Sequence, residues 1–459
     1  MIESLSIEPF RNPISGDLSL PGSKSITNRA LILAALSNTS PATIHLEGAL
    51  FSRDTKIMIE ALESLGFALT INRAERRISI QGLGGQIPNS RAQLHVGNAG
   101  TAARFLTALL ALKEGGVYHL DGDPQMRERP MQGILETLEQ LDAAQFKFKG
   151  TPYHFPFTMK TRGIQKDSAQ VDARASSQIL SALLLALPVS GKRISLECPD
   201  VRPAYIRVTE AVKSAFGTWD SLLNHSEAIP SERYILEAQP YCGPKDNRYC
   251  IEPDLSAASY FLALTLLHGG QLSIPNMPAH PIQGDAAFAE ILKKHGLEIE
   301  AREQQWILRR TPGSLDKPKS VHHNFNLFSD TFLTYAAIAP LINRETRIEG
   351  IAHTRKQETD RVSAMAFELK KLGQNVHETE DSLHIISNKG ALVERAQQAL
   401  DQGRPLSVET YEDHRFAMSF SVLGSYDLIG DGRPWLSVRD PHCCGKTFPE
   451  FFTVLDSLR

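Results

Sequence analysis

The sequence contains few of the residues that define several common protein classes. Cysteine occurs only five times in 459 residues, and neither a CxxC spacing nor a His-x-His pair accompanies the adjacent Cys443 and Cys444. This sparse, odd set argues against a disulfide framework or a zinc site. Cys443 and Cys444 are predicted to be buried thiols, and the set as a whole indicates a reducing, cytoplasmic location.

Charge of one sign and long apolar runs are also missing. The formal net charge is −3, so nothing global predicts binding to nucleic acid or to an anionic membrane. No apolar run reaches the ~18 residues of a membrane span. The first ten residues, MIESLSIEPF, lack the basic and apolar regions of a secretory signal, so none is expected.

What is present is a recurring α/β unit. Hydrophobic residues make up 42% of the chain, and short alternating segments are followed repeatedly by aliphatic helical patterns that end in glycine. About six copies are recognisable, three in each half, with a boundary near residues 239–252. Two lobes with a cleft between them are the favoured interpretation. One long doubly wound sheet is the alternative.

The most informative stretch is LPGSKSITNRALILAAL, residues 20–36. Ser23 is a plausible N-cap, and a helix is expected from about Ser25. Lys24, Ser25 and Arg29 then gather at the positive end of that helix, where a phosphate or carboxylate could bind. The spacing of a Walker A loop is absent, and a capped surface helix that happens to carry a lysine is the open alternative.

Other predicted elements also begin with polar groups that a plain core helix does not need. The segments are GNAGTAARF (97–105), MRERPM (126–131), ASSQ (175–178), FSDTFL (328–333), HTRKQETDR (353–361), YEDHR (411–415) and CGKTFPEF (444–451). Helix capping or a solvated charge run would explain each one alone. Together they supply six cations at element starts, which would form a polyanion site in a shared cleft: Lys24, Arg29, Arg129, Arg361, Arg415 and Lys446. Asp330 and Glu358 could move protons there.

In order and spacing, eight of these motifs resemble the EPSP synthase (3-phosphoshikimate 1-carboxyvinyltransferase) family of enolpyruvyltransferases. The motifs are LPGSKSITNRALILAAL, GNAGTAARF, MRERPM, SSQILSALL, SDTF, QETDR, DHRFAM and KTFPEF. The resemblance covers nearly the whole chain. It implies transfer of the enolpyruvyl group of phosphoenolpyruvate to the 5-hydroxyl of shikimate 3-phosphate, in chorismate and aromatic amino-acid biosynthesis. It implies no cofactor, no metal and a monomer.

The fold implied by the resemblance is an α/β, two-lobed enolpyruvyltransferase fold. Each lobe would hold three βαβαββ repeats with pseudo-threefold symmetry, described as an inside-out α/β barrel. Lobe 1 would comprise residues 1–21 plus 252–459, and lobe 2 residues 22–251. The active site would lie in the cleft between the lobes.

The resemblance also implies roles for individual residues. The catalytic residues would be Lys24, which touches both substrates, Asp330, which takes the proton of the 5-hydroxyl, and Glu358, which moves the methylene proton. Shikimate 3-phosphate would be bound by Lys24, Ser25, Arg29, Ser176, Ser177, Gln178, Arg202, Tyr205, Asp330 and Gln357. Phosphoenolpyruvate would be bound by Lys24, Gly100, Thr101, Arg129, Gln178, Arg361, Arg415 and Lys446.

The chain departs from the family pattern at a few positions. Gln357 stands where lysine is usual, Arg202 where serine is usual, His353 where many members have asparagine, and Phe105 where proline is common. The first three concern the shikimate side and bear on the choice of acceptor. One hypothesis is that Arg202 supplies the charge that Gln357 lacks.

Two other functions remain open at this stage. A paralogous enolpyruvyltransferase could act on another phosphorylated alcohol or on a nucleotide sugar, although no cysteine precedes Cys198 to serve the mobile loop of the UDP-N-acetylglucosamine enzyme. A catalytically silent anion-binding protein is the second. Pure anion binding would not favour the two acids Asp330 and Glu358 beside the ligand.

Overall fold

The computed structural model describes residues 3–39, 42–217, 232–313, 315 and 319–459. The chain divides into two compact units. Unit 1 joins residues 1–21 to residues 253–459, and unit 2 is the continuous segment 22–252.

Short strands and helices alternate along the described chain. The strands are β1 (Ser4–Ser6), β2 (Ile14–Asp17), β3 (Thr43–Glu47), β4 (Leu69–Asn72), β5 (Arg77–Gln81), β6 (Arg91–His95), β7 (Glu114–Asp121), β8 (Ala144–Phe148), β9 (Phe157–Arg162), β10 (Ser168–Gln170), β11 (Ile194–Glu197), β12 (Arg233–Leu236), β13 (Arg248–Cys250), β14 (Gly270–Pro275), β15 (Glu298–Arg302), β16 (Gln305–Arg310), β17 (Lys319–Asn324), β18 (Asn343–Glu349), β19 (Asn375–Glu378), β20 (Ser382–Ile386), β21 (Leu406–Val408) and β22 (Leu436–Arg439). The helices are α1 (Lys24–Leu36), α2 (Arg53–Ser64), α3 (Gly100–Leu110), α4 (Pro124–Glu128), α5 (Gln132–Gln140), α6 (Gln178–Ala186), α7 (Pro203–Ala215), α8 (Leu255–His268), α9 (Ala286–Lys293), α10 (Phe332–Ile342), α11 (Arg361–Lys371), α12 (Lys389–Asp401), α13 (His414–Gly424) and α14 (Phe451–Asp456). Short 3-10 turns lie at Leu187–Ser190, Lys245–Asn247, Ser329–Thr331, Ala352–Lys356 and Pro441–Lys446.

The described strands of each unit form three small sheets. In unit 2 the orders are β13-β3-β5-β4, β6-β7-β9-β8 and β10-β11-β12. In unit 1 they are β2-β14-β16-β15, β17-β18-β20-β19 and β21-β22-β1. In every sheet the first pair of these orders is parallel and the remaining pairs are antiparallel. This pattern confirms the predicted repeats, whereas each sheet described here is open and none closes into a barrel.

Three helices form the centre of each unit. In unit 2, α1, α3 and α6 contact one another, and in unit 1 the same is true of α8, α10 and α13. These helices are buried around nearly their whole circumference: most of their residues are apolar or small, and polar exceptions such as Asn28, Arg29 and Arg104 are buried as well. Their first residues therefore emerge from a rigid, packed core, and this fixes the side chains carried there.

Side-chain caps form at some helix starts and not at others. Asp254, Asp360 and Asp413 accept hydrogen bonds from the first turns of α8, α11 and α13 at 2.9, 3.0 and 3.0 Å. Ser23 occupies the N-cap position of α1 as predicted, but its hydroxyl caps nothing. Its carbonyl accepts from the Thr27 amide at 2.8 Å. No helix in the described ranges is long and apolar enough to cross a membrane.

Candidate active site

In unit 1 the structure brings together three carboxylates and three cations, here called the ion cluster. Its members are Asp330, Glu358, Arg361, Asp413, Arg415 and Lys446. They come from the 3-10 turn before α10, the loop before α11, the start of α11, the start of α13 and the 3-10 turn before α14. Five of the six were predicted as site residues, and Asp413 was not.

Arg361 is the centre of the ion cluster. Its side chain is only 2% exposed. Its Nε and Nη2 donate to both oxygens of Asp413 at 2.7 and 3.2 Å, a bidentate geometry that suits the planar guanidinium. Burial lowers the pKa of Arg361, but the carboxylates of Asp413, Glu358 and Asp330 outweigh it and raise that pKa above its ordinary value. Arg361 therefore stays charged.

Each predicted catalytic carboxylate is held by two cations. Asp330 accepts from Arg361 Nη1 at 3.1 Å on Oδ1 and from Arg415 Nη2 at 2.6 Å on Oδ2. Glu358 accepts from Arg361 Nη2 at 2.9 Å on Oε2 and from Lys446 Nζ at 2.7 Å on Oε1. Their side chains remain 17% and 11% exposed, so both carboxylates are oriented and still reachable.

Two residues beside the ion cluster escaped the sequence analysis. Tyr260 on α8 accepts a hydrogen bond from Arg415 Nη1 at 3.4 Å. Asp285 is buried and accepts from Ser256 Oγ at 3.0 Å. Burial, and then the charges of Asp330 and Asp254, raise the pKa of Asp285 to about 7, against the opposing effect of Arg415. In the sequence, Asp285 looks like an ordinary N-cap of α9, so no motif predicted it as a site residue.

The residues that differ from the family pattern on this side are also placed. Gln357 Oε1 accepts from Arg361 Nη1, so it joins the ion cluster through its amide oxygen. His353 Nε2 lies 2.8 Å from Ser329 Oγ, next to Asp330 in the chain. Lys356 is exposed.

In unit 2, Lys24 and Arg29 lie on the same helix in different surroundings. Lys24 Nζ forms an ion pair with Asp54 Oδ2 at 3.1 Å, a partner that the sequence analysis missed because it lies 30 residues away. Arg29 is 1% exposed. Its Nε donates to Thr209 Oγ1 at 2.8 Å and its Nη1 to the Ser25 carbonyl at 2.9 Å. Burial lowers its pKa to about 10.

Arg29 also joins three helices of unit 2. Its Nη2 donates to Ser181 on α6 and to the Tyr205 carbonyl on α7, both at 3.2 Å. Its guanidinium lies over the rings of Phe105 and Tyr205, with centroid distances of 5.3 and 5.8 Å. Phe105, at a position where the family often has proline, therefore provides an aromatic face for the guanidinium of Arg29.

Two arginines converge on the start of α3. A Cβ built on Gly100 would come within 2.7 Å of Arg129 Nη2 and 2.8 Å of Arg104 Nη1, so a side chain there would displace both guanidinium groups from their present positions. Arg104 donates to the Gly100 carbonyl at 3.1 Å and to Gln178 Oε1 at 2.8 Å. Gln178 Nε2 in turn donates to Thr101 Oγ1 at 3.1 Å. Arg104 was quoted in a motif but not predicted as a site residue.

The remaining predicted residues of unit 2 lie at the starts of α6 and α7. Ser177 is the buried N-cap residue of α6, and Ser176 Oγ accepts from the Gln178 amide at 3.3 Å. Arg202 is the N-cap residue of α7, and its Nη1 donates to the Arg174 carbonyl at 3.3 Å. Burial lowers the pKa of Arg202.

Two details of the prediction need correction. The cations do not all lie at element starts: Arg29 is in the second turn of α1, Arg129 lies between α4 and α5, and Lys446 ends a 3-10 turn. The adjacent thiols are not both buried, since Cys444 is buried and Cys443 is half-buried. Among the residues that the structure describes, no group of three or more His, Cys, Asp or Glu could hold a metal ion.

Comparisons with known proteins agree on one family. The model of the family "EPSP synthase (3-phosphoshikimate 1-carboxyvinyltransferase)" matches residues 10–455. A 3-phosphoshikimate 1-carboxyvinyltransferase of Opitutus terrae is 44% identical over 99% of this chain and 97% of its own length. The enzyme of the same name from Trichormus variabilis is 34% identical over 98% of both chains.

Solved structures show the same fold at lower sequence identity. An EPSP synthase of Acinetobacter baumannii superposes with a TM-score of 0.75 at 23% identity, over 99% of this chain and 97% of that one. The enolpyruvyl transferase NikO of Streptomyces tendae gives a TM-score of 0.68 at 14% identity, over 99% and 97%. With a full-length family match and a relative at 44% identity, the chain belongs to the EPSP synthase family.

Proposed function

We propose that this chain transfers the enolpyruvyl group of phosphoenolpyruvate to the 5-hydroxyl of shikimate 3-phosphate, and that the ion cluster carries out the proton transfers. The products are 5-enolpyruvylshikimate 3-phosphate and phosphate. The observation that carries the second part is the double anchoring of Asp330 and Glu358, each of which has its two oxygens on two different cations.

The reaction requires the proton of the 5-hydroxyl to be removed and a proton to be delivered to C3 of phosphoenolpyruvate. Later, a proton must be removed from C3 again. In this proposal Asp330 accepts the proton of the 5-hydroxyl while that oxygen bonds to C2 of phosphoenolpyruvate. Glu358 donates a proton to C3, which becomes a methyl group, and a tetrahedral adduct results. Phosphate then leaves C2 with the proton held by Asp330, and a C3 proton returns to Glu358, so the alkene and the starting protonation states of both carboxylates are restored. Both carboxylates are partly exposed, as groups that touch substrate must be.

The charge balance of the ion cluster supports this division of roles. The formal charges of its three carboxylates and three cations sum to zero. An anionic substrate therefore competes with Asp330 and Glu358 for donors on Arg361, Arg415 and Lys446. A carboxylate that loses a cation while an anion arrives binds a proton more readily. Substrate binding would in this way load Glu358 with the proton that C3 requires.

We assign the substrate contacts of unit 2 in the same proposal. Lys24 contacts both substrates, and Gly100, Thr101 and Arg129 bind phosphoenolpyruvate. Shikimate 3-phosphate binds to Ser25, Ser176, Ser177, Gln178, Arg202 and Tyr205 in unit 2 and to Gln357 in unit 1. Because Arg29 is buried and its Nε, Nη1 and Nη2 donate to protein oxygens, it serves by holding Ser25 and by adding positive charge.

We also propose that the protein works as a monomer in the cytoplasm. All five cysteines lie in the described part of the chain and are free thiols, which suits a reducing compartment. Gel filtration at micromolar concentration, with an elution volume expected for 50.7 kDa, tests the first part. Fractionation of the source cells tests the second.

A second candidate keeps the chemistry and changes the acceptor to another phosphorylated or nucleotide-sugar alcohol. Gln357 stands where the family usually has lysine, and Arg202 where it usually has serine. Both positions bear on the choice of acceptor, which is the reason for this second candidate. Phosphate release from phosphoenolpyruvate is therefore to be measured with shikimate 3-phosphate and with competing alcohols. We expect release with shikimate 3-phosphate; release only with another alcohol would refute the acceptor.

The catalytic roles are tested by conservative variants. Asp330→Asn and Glu358→Gln keep the shape but remove the basic group, so turnover should fall by at least ~100-fold, the usual scale for a positioned acid or base. Asp431→Asn and Glu394→Gln, at exposed positions of the same unit, are the matched controls and should turn over at the unaltered rate. Unaltered turnover in either test variant would refute the role assigned to that residue.

A further inference from the structure

The backbone immediately before α13 is strained. Tyr411 and Glu412 both have φ of 56°, so two consecutive non-glycine residues adopt the left-handed conformation. L-residues with a Cβ avoid this region, and the surrounding structure must compensate for the cost. The segment that follows carries Asp413 and Arg415, which belong to the ion cluster.

A buried glutamate of α11 anchors the strained turn. Glu368 is fully buried, and its Oε1 accepts from the Tyr411 hydroxyl at 2.7 Å. Its Oε2 accepts from Lys371 Nζ at 2.6 Å and from the Glu409 amide at 3.3 Å. The Tyr411 ring also packs edge-on against Phe416 of α13, with centroids 5.5 Å apart. The bond between Glu368 and Tyr411 is called the strut below.

The turn determines the position of Asp413. Asp413 is fully buried, binds Arg361 with both oxygens and accepts from the Arg415 amide at 3.0 Å. Arg361 and Arg415 in turn hold the two oxygens of Asp330. A continuous series of contacts therefore runs from Glu368 through Tyr411 and the turn to the ion cluster.

We propose that Glu368 and Tyr411 are positioning residues for enolpyruvyl transfer: the strut holds the left-handed turn that presents Asp413, and thereby sets Arg361 and Arg415 for the anionic substrate. This inference rests on the proposed roles of the ion cluster. Neither residue touches substrate. Without the strut the turn relaxes toward ordinary φ values, and both arginines lose their fixed orientation.

Tyr411→Phe tests the strut because it removes one hydroxyl and keeps the ring against Phe416. We expect kcat/KM for phosphoenolpyruvate to fall about tenfold, equal to ~1.4 kcal/mol, mostly through a higher KM for that substrate. The KM for shikimate 3-phosphate should change less than about twofold. A merely structural role would reduce the fraction of active enzyme and leave both KM values alone, so that outcome would overturn the inference.

The chain offers a matched control for this variant. Tyr153 in unit 2 also has a left-handed φ, of 60°, and its hydroxyl also donates to a glutamate, Glu139, at 3.1 Å. Tyr153→Phe therefore removes the same kind of bond from the same kind of backbone, with no contact to a predicted site residue. Its KM values should equal those of the unaltered protein.

A suppressor variant separates positioning from stability. Glycine adopts φ of 56° without strain, so Glu412→Gly should keep the turn in place when the strut is missing. Measured against Glu412→Gly alone, the double variant Tyr411→Phe/Glu412→Gly should lose no more than half as much kcat/KM for phosphoenolpyruvate as Tyr411→Phe loses against the unaltered protein. A double variant no better than Tyr411→Phe would contradict the inference.

Asp413→Asn separates the inference about the strut from the proposed roles of the ion cluster. If Tyr411→Phe has unaltered kinetics and Asp413→Asn loses activity, the strut inference fails and the ion cluster stands. If Asp413→Asn also has unaltered kinetics, the proposed roles of the ion cluster fail with it.

Discussion

At the scale of the residue, the decisive feature is a charge that is buried and fully partnered. Arg361 would be costly to bury alone, but Asp413, Asp330 and Glu358 surround its guanidinium. A buried ion pair adds little net stability when it is whole, yet removing one partner strands the other. The ion cluster is therefore fragile toward any single neutral substitution.

Asp413→Ala should consequently destabilise the protein strongly. It leaves Arg361 without its bidentate partner, and the expected loss in free energy of unfolding is about 3 kcal/mol. Asp431→Ala breaks a half-exposed pair with Arg433 in the same unit and should cost less than about 1 kcal/mol. Urea unfolding followed by circular dichroism measures both. Equal effects of the two variants would show that Asp413 is not a buried anchor.

Motifs in the sequence marked Asp330 and Glu358, which the structure brings into one ion cluster. No motif marked Asp54, the partner of Lys24, because it lies far from Lys24 in the sequence. Asp285 looks like a helix N-cap in the sequence. Only the fold shows that Asp330 lies close enough to contribute to the raised pKa of Asp285. Long-range pairs are decided by packing, which spacing in the sequence does not report.

At the scale of the element, α8 carries a half-buried histidine at the end where helices usually favour a cation. His268 Nε2 lies 2.9 Å from Ser425 Oγ, and its ring packs against Phe10 at 4.9 Å. Burial, with a contribution from Arg459, lowers the pKa of His268 to about 3. Desolvation therefore outweighs the helix dipole, which would favour the protonated form.

This predicts a specific loss of stability in acid. Between the ordinary histidine pKa of ~6.5 and about 3, the unfolded chain binds a proton at His268 that the folded protein does not. The free energy of unfolding should thus fall as the pH drops through this window, by up to ~1.4 kcal/mol per pH unit from this group.

His268→Gln should flatten that dependence between pH 6 and pH 4, because glutamine does not titrate. Chemical unfolding at each pH measures the slope. His442→Gln, at an exposed residue paired with Glu3, is the control and should leave the slope unchanged. An unaltered slope in His268→Gln would contradict the assigned protonation state.

Elements were predictable where local pattern decides them. The helix expected from about Ser25 is found at Lys24–Leu36, and the segment after α2, in which apolar and polar residues alternate, forms the hairpin of β4 and β5. Helix capping was the simpler explanation of Asp330 in the sequence, but Asp330 lies in a 3-10 turn and binds two arginines instead of capping α10. The pairing of β13 with β3 could not be foreseen, since it joins segments about 200 residues apart.

At the scale of the whole molecule, the total charge is slightly negative, although several cations are buried. The net charge is −3, and Arg29, Arg104 and Arg361 are all almost completely buried. General attraction of anions therefore does not explain substrate binding, and specific side chains must supply it.

Shikimate 3-phosphate should stabilise the protein through these side chains. At 100 times its Kd the free energy of unfolding should rise by about 2.7 kcal/mol. Arg29→Lys keeps the charge but lacks the fork that holds Ser25, so the stabilisation at the same ligand concentration should be clearly smaller. Arg193→Lys, at an exposed residue, should behave like the unaltered protein. Thermal melts with and without ligand provide the comparison, and equal shifts in all three proteins would refute the role of Arg29.

The pairing of β1 with β22 delays part of the folding of unit 1 until the end of translation. Ser4–Ser6 bonds to a strand that ends at Arg439, so the first strand leaves the ribosome about 430 residues before its partner. At roughly 5–20 residues per second that delay lasts from about 20 seconds to more than a minute. Unit 2, being continuous, is translated in full during this wait, and β1 must stay unpaired until β22 is synthesised, whereas β2 can pair earlier with β14.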